Sequence, residues 1–255
     1  MTPVARTYDS LAGFAGNGVP SLGTEAMDTD QVTELLGRTE LFRPLDERSQ
    51  REVAAVATQT AFAKGQTIFV QDEPGDRMFV LAEGAVKLVV RSRHGEVVEL
   101  ARHRPPAVFG EVALLDGGPR SASAEAIEPS LLLGIARAKV IELLRSDSGV
   151  VDALLRSLGE LVRRANRQTT DLVFLDLQGR VARKLLELAE APGTSGGTVL
   201  DQRAFTQTEL AHMVGGVRQT VNLALRSLER RGLIRVSEGK IEILELDRLR
   251  RRADA

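Results

Sequence analysis

The sequence predicts an α+β chain in three parts: a jelly roll of short strands, a long helix of coiled-coil type, and a C-terminal winged helix-turn-helix. Three observations predict it. Short apolar stretches separated by turn residues recur from Gln66 to Ile135, apolar residues fall seven apart after Lys139, and the chain from Gln178 reads helix, turn, helix, hairpin. With 255 residues, 43% of them hydrophobic, there is enough chain for more than one core.

Met1 to about Asp30 is rich in Gly, Ala, Ser and Thr without a sustained period, and is expected to be a mobile extension ending at residue 31. From Val32 to Val56, two short helices are expected, one with Val32, Leu35 and Leu36 on its apolar face and one with Val53 and Val56, divided by Pro44. Strands follow at Gln66–Val70, Met78–Ala82, Ala85–Val90, Val97–Leu100 and Leu131–Ile135, with turns at Lys64-Gly65, Pro74-Gly75, Glu83-Gly84, His94-Gly95 and Pro105-Pro106. That spacing suits a jelly roll or barrel over residues 32–148.

The long helix and its hinge are expected over 149–177. Val151, Leu158, Ala165 and Leu172 form one seam position, and Leu154, Leu161 and Gln168 the other. Such a seam pairs with a second copy, and a two-fold homodimer is the commonest closed solution; packing on the helix's own domain is the alternative. In the last part, residues 178–255, helices are expected at Arg180–Glu190, Gln207–Val214 and Arg218–Arg231, with a Gly-rich loop at Pro192–Gly197 and strands around Ser237-Glu238-Gly239. Leu210, Val214, Val221, Leu225 and Leu228 are its core.

Charge and composition narrow the function. The net charge of −1 hides an asymmetry: from Gln178 onward there are 14 Lys/Arg against 10 Asp/Glu, a balance of +4, whereas the rest has 20 against 25, or −5. The C-terminal part therefore favours a polyanion. Cysteine is absent, which removes disulfides, thiolate catalysis, Cys-ligated zinc and iron–sulfur clusters. His94, His103 and His212 are scattered without metal-ligand spacing, so they read as surface histidines and no metal is expected. No Ser–His–Asp order, P-loop or dinucleotide fingerprint appears, and nothing argues for an enzyme. No apolar run approaches the roughly 18 residues that span a bilayer, and no secretory signal opens the chain; a cytoplasmic protein with no membrane partner is expected.

The densest local constellation is FGEVALLDGGPRSASA, Phe109 to Ala124. Its glycines and proline force a compact loop between β segments. If Val112–Leu115 makes a helical turn, its free N–H groups face an anion. Arg120 then offers a forked charge-assisted contact to a phosphate, Ser121 adds a hydroxyl, and Glu111 can accept from sugar hydroxyls.

Together with EPGDRMFVLAEGAVKL (Glu73–Leu88), FLDLQGRVARKLLELA (Phe174–Ala189) and TQTELAHMVGGVRQTVNLALRSLERRGLI (Thr206–Ile234), this segment resembles the bacterial Crp/Fnr transcription regulators over about Leu41 to Leu246. The resemblance implies a cyclic-nucleotide-binding β-roll, a dimerisation helix and a winged helix-turn-helix. It implies cAMP as effector, double-stranded DNA and a second copy as partners, and RNA polymerase as a further one. Carried over by position, Gly110 and Glu111 meet the ribose and Arg120 and Ser121 the cyclic phosphate, with Val112 among the residues that bind the nucleotide. Where the family's long helix offers a Thr hydroxyl to the adenine, this chain has Ala165 followed by Asn166. Losing one such contact costs about 0.5–1.5 kcal/mol, roughly tenfold in affinity, so the nucleotide preference is expected to be weaker or altered.

In the DNA module, Arg218, Gln219 and Asn222 at the start of the second helix are expected to reach base edges, with Arg218 and Asn222 one turn apart on the same face. Gln219 stands where the family usually has an acid that accepts from cytosine, which implies a changed half-site. Val217 replaces the usual Ser cap. Thr206, Thr220, Arg226 and Lys240 are candidate phosphate contacts, as are Arg230, Arg231 and the tail Arg248–Arg252; solvated charge is the alternative for each cation.

The reading that follows is a homodimeric regulator, controlled by a cyclic nucleotide and binding a palindromic operator. Two others stay open: a constitutive DNA binder with a degenerate pocket, and a nucleotide-sensing interaction module whose helix-turn-helix docks on protein.

Overall fold

The computed structural model describes residues 26–190, 199–201, 205–237 and 239–254. Residues 1–25, most of the expected extension, and the Gly-rich loop at 192–197 lie outside the described residues. The first helix, α1 (Thr29–Arg38), starts before residue 31, because Asp28 caps it through a capping box with Gln31. In α2 (Glu47–Val56) the inward residues are Val53 and Ala54; Val56, expected on that face, is 55% exposed.

The roll consists of β1 (Thr58–Phe62), β2 (Thr67–Phe69), β3 (Arg77–Glu83), β4 (Val86–Arg91), β5 (Val97–His103), β6 (Ala107–Phe109), β7 (Ser123–Ala126) and β8 (Ser130–Ala136), with α3 (Val112–Asp116) between β6 and β7. Two antiparallel four-stranded sheets result, ordered β1-β8-β3-β6 and β2-β7-β4-β5. The alternation of side chains along a strand sorts β3 and β8 into two cores. Met78, Val80, Leu133 and Ile135 pack with α1, α2 and the helices that follow the roll, α4 (Arg137–Ser146) and the first turns of α5 (Ser148–Phe174). Phe79, Leu81 and Leu132 face the other way, into the space between the sheets with Val86, Phe109 and Ala124. Strands buried on both sides read as the near-continuous apolar runs the sequence shows.

Helix α5 has 27 residues, about 40 Å of length. Asp147 caps it by accepting from the backbone N–H groups of Gly149 and Val150. Its seam departs from the expected one. Leu154 is buried in its own domain, Leu158 packs partly against the same core, and the Gln168 side-chain amide donates to the Leu100 carbonyl of β5 at 2.9 Å. The outward apolar row is Leu155, Leu161, Val162, Leu172 and Val173, all at least 40% exposed. The roll takes Leu154 and part of Leu158, and the apolar row left facing outward, which keeps Leu161 and Leu172 of the expected seam, begins at Leu155.

The C-terminal unit has α6 (Leu177–Glu190), β9 (Val199–Asp201), α7 (Gln207–Val214), α8 (Arg218–Arg230), β10 (Ile234–Ser237), β11 (Lys240–Ile243) and α9 (Leu246–Ala253). Leu210, Val214, Val221, Leu225 and Leu228 are buried in its core as expected. The wing is a three-stranded sheet ordered β10-β11-β9. Helix α9 closes the unit against α6 with Leu249 and Ala253 buried, and Arg252 pairs with Asp176 at the hinge. That ion pair, and the approach of Arg250 to Glu190 at 3.6 Å, ties down part of the tail that the sequence offers to phosphate. At the hinge Arg180 donates to the carbonyls of Val214 and Leu175, both at 3.0 Å. Helix α7 also packs on β5, where Arg102 approaches Glu209 at 3.9 Å.

Candidate functional site

Two loops build the site. The turn Asp72–Asp76 is laced to the loop ahead of β7: the Asp72 N–H donates to the Arg120 carbonyl at 2.9 Å and the Arg120 N–H to the Glu73 carbonyl at 2.8 Å. Gly75 permits this approach, since a Cβ there would lie 2.6 Å from Ala113 Cβ and 3.1 Å from Arg120 Cζ. Gly110, at φ +81°, turns the chain from β6 into α3, and a Cβ on it would lie 2.9 Å from Arg120 Nη1.

Arg120 is 4% exposed. Nη1 donates to the Gly110 carbonyl at 2.8 Å, Nη2 donates to the Arg77 carbonyl at 2.7 Å, and the buried Nε–H has no partner among the described residues. The guanidinium lies 4.2 Å from the Phe69 ring centre and 5.9 Å from that of Phe79. Burial lowers its pKa, partly offset by Asp76, yet an arginine keeps its charge. A buried cation with an idle N–H, and with no carboxylate hydrogen-bonded to it among the described residues, is chemically suited to receive an anion. Arg120 and Gly110 thus come together as expected. Glu111 precedes α3 in helical conformation without capping it; burial pushes its carboxyl above the usual range, against the pull of Arg120 and Arg164. Val112 is half-buried and Ser121 exposed.

Sequence reasoning missed several members. Phe69, Phe79 and Phe109 form a stacked cluster, with neighbouring ring centres 5.7–6.1 Å apart. His103 extends the stack, 5.7 Å from Phe109 and inclined by 12°. It is therefore not a surface histidine: burial, with Arg164 adding to it, lowers its pKa to about 4, so it is neutral at pH 7. Arg164, on α5, acts electrostatically on both His103 and Glu111. Ala165 and Asn166, expected there, are both exposed. Arg164 adjoins that pair in the sequence; no local pattern marked His103. Among the described residues, no group of His, Asp and Glu could hold a metal ion.

In the C-terminal unit, Thr206 caps α7 through a capping box with Glu209. Arg218, Gln219, Thr220 and Arg226 are exposed along α8, and Lys240 is exposed on the wing. Two details differ from expectation. The Thr220 hydroxyl donates to the Val217 carbonyl at 2.9 Å, which commits its proton. Asn222 is half-buried, with Oδ1 out of solvent and without a partner among the described residues, so its amide is less open than Arg218 one turn earlier. Val217 makes no side-chain cap, as its residue type implies.

Comparison with known proteins agrees with this anatomy. A cyclic nucleotide-binding domain matches residues 59–147, and a Crp-like helix-turn-helix domain matches residues 179–252. The chain is 34% identical over 223 residues to a CRP-like cAMP-activated global transcriptional regulator of Mycobacterium tuberculosis, covering 87% of this chain and 100% of that protein. It is 35% identical over 205 residues to the transcriptional regulator SdrP of Thermus thermophilus, covering 78% and 96%. Among solved structures, a CRP/FNR-family transcriptional regulator from Thermus thermophilus superposes with a TM-score of 0.64 at 32% identity, covering 78% of this chain and 99% of that one. These relatives are transcription regulators, not enzymes. With the β-roll, the long helix and the helix-turn-helix in this order, the chain belongs to the Crp/Fnr family of DNA-binding transcription regulators.

Proposed function

We propose that this chain is a homodimeric, cytoplasmic regulator whose grip on a two-fold symmetric operator is controlled by a cyclic nucleotide, cAMP, held at Arg120. The observation that carries this is the buried guanidinium with its idle Nε–H. A cyclic phosphate supplies acceptor oxygens and a negative charge together. Gly110, Glu111 and Val112 would flank the ribose, Glu111 accepting from its hydroxyl when ionised. Ser121, exposed at the mouth, would add a donor to the phosphate, and Asn166 on α5 would stand in for the hydroxyl that Ala165 lacks. The M. tuberculosis relative is named as cAMP-activated, which favours cAMP.

The outward apolar row of α5, from Leu155 to Val173, favours pairing with a second copy. Two recognition helices would then enter successive major grooves about 34–36 Å apart. Arg218 suits guanine and Gln219 adenine. Thr206, Arg226 and Lys240 would contact phosphates, Thr220 would join them only by turning its hydroxyl proton away from the Val217 carbonyl, and RNA polymerase would be the partner at a promoter. Ligand at Arg120 would be felt on α5 by Arg164, whose charge acts on Glu111 and His103, and would so bias the helix and the reading heads beyond it; operator DNA would tighten the ligand in return.

Selection of bound sequences from random duplex DNA, with and without cAMP, tests this. A palindromic site enriched only with cAMP is expected; the same site enriched equally without it favours the one rival reading with support of its own, a constitutive binder, which rests on Ala165.

A further inference from the structure

Helix α8 is amphipathic, and its polar stripe can be drawn from exposure alone. Val221, Ala224, Leu225 and Leu228 are buried. At 3.6 residues per turn, the residues opposite them are Gln219, Leu223, Arg226 and Arg230, spaced i, i+4, i+7 and i+11. Three of these are polar. Leu223 is 64% exposed in the middle of the row, more open than any residue of the core helix face requires. Asn222, which the sequence offers to a base edge, is turned partly inward instead.

A lone exposed leucine is ordinary on a protein surface. This one occupies the centre of the face that a helix-turn-helix inserts into the major groove, one turn beyond Gln219. The floor of that groove consists of hydrogen-bond donors and acceptors with a single apolar group, the C5-methyl of thymine. A leucine there cannot bond to N7, O6, O4 or the exocyclic amines, and it strips water from whichever of them it covers, a cost without return. Only the thymine methyl gains by the contact.

We propose that Leu223 is a specificity-determining residue that reads a thymine through its C5-methyl group. With Gln219 suited to adenine one turn earlier, the half-site would carry a thymine that no hydrogen bond in the complex accounts for. The inference rests on the DNA-binding function of this family and deepens it.

The test starts from the half-site that the full-length protein selects. Each thymine is replaced in turn by deoxyuridine, which removes the methyl and leaves the base pair intact, and binding is followed by fluorescence anisotropy. One position is expected to lose about fourfold per half-site, the worth of one buried methyl group. Leu223→Ala should bind thymine and deoxyuridine equally there, while keeping the wild-type preference at the other positions. Leu223 is exposed, so the variant should melt with the wild type; Leu223→Met, which keeps an apolar tip, should retain the discrimination. A half-site in which no thymine responds to loss of its methyl, or an alanine variant that still discriminates, overturns the proposal while DNA reading stands. A protein that selects no sequence at all overturns both.

Discussion

The Arg120 guanidinium lies 4.2 Å from the centre of the Phe69 ring, and this contact explains how a cation can wait inside the roll. The ring face offers negative potential without a formal charge. Carbonyls of Gly110 and Arg77 hold two nitrogens in place, so the fork is oriented before an anion meets it. An arginine paired to a carboxylate would have to break that pair first.

Replacing Arg120 by Ala should therefore abolish the anion site while sparing DNA contacts. Loss of a buried, hydrogen-bonded charge partner costs about 2 kcal/mol or more, so cAMP affinity by calorimetry should fall at least about 30-fold. Arg120→Lys should rescue little, because an ammonium cannot span both carbonyls and a phosphate.

Gly75→Ala tests the packing around that arginine. The new methyl would sit 2.6 Å from Ala113 Cβ, closer than side chains tolerate. Overpacking of this kind costs about 1–3 kcal/mol. Because the same methyl presses on Arg120, the variant should lose both thermal stability and cAMP affinity, whereas Gly65→Ala, where the φ of +83° strains the backbone but a Cβ meets nothing within 4 Å among the described residues, should lose stability and leave cAMP affinity unchanged.

His103 gives a pH signature. Its folded pKa of about 4 lies below the ordinary 6.5, so between these values the unfolded chain binds a proton that the folded protein refuses. Stability then falls as pH falls through that window, by about 2 kcal/mol from this residue between pH 7 and pH 5. Glu111, raised by burial, contributes with the opposite sign just above its ordinary pKa. Comparing wild type with His103→Leu in urea titrations at the two pH values isolates the histidine: the variant should lose less stability on acidification. Parallel losses would remove His103 from the buried, neutral role.

Val162 is 57% exposed on the outward row of α5. A glutamate there would place two charges across a paired seam, and sedimentation at micromolar concentration should show Val162→Glu as a monomer beside a dimeric wild type. Arg156→Glu, a charge change at an already polar exposed position, serves as the control.

Much of this molecule was legible because its strongest patterns are local. The helix-turn-helix was readable from the spacing of Leu210, Val214, Val221 and Leu225, and α3 from the short apolar stretch Val112–Leu115. Strands β1, β6 and β7 were not, because TQTAF, AVF and SAEA are short and lack a clean apolar alternation. Wing strand β9 and helix α9 draw their stability from tertiary packing; α9 reads as a run of arginines until Leu249 and Ala253 are seen buried against α6. The heptads of α5 were visible, but not which of their residues the roll would take. In the site, Arg120 and Glu111 stand in one conspicuous loop, whereas His103 and Arg164 come from a strand and a helix that only the fold brings together. The inward turn of Asn222 and the openness of Leu223 differ by one residue on one helix, a distinction that depends on exact packing.

Under the proposed function, an anion at Arg120 governs DNA binding. Fluorescence anisotropy of the selected operator, titrated with the protein at fixed salt with and without saturating cAMP, tests it most directly. Coupling of about 1–3 kcal/mol would tighten wild-type binding roughly 5- to 150-fold and leave Arg120→Ala unmoved. Wild-type affinity that is the same in both titrations, at the level of the variant or above it, would show that DNA binding is not governed from Arg120.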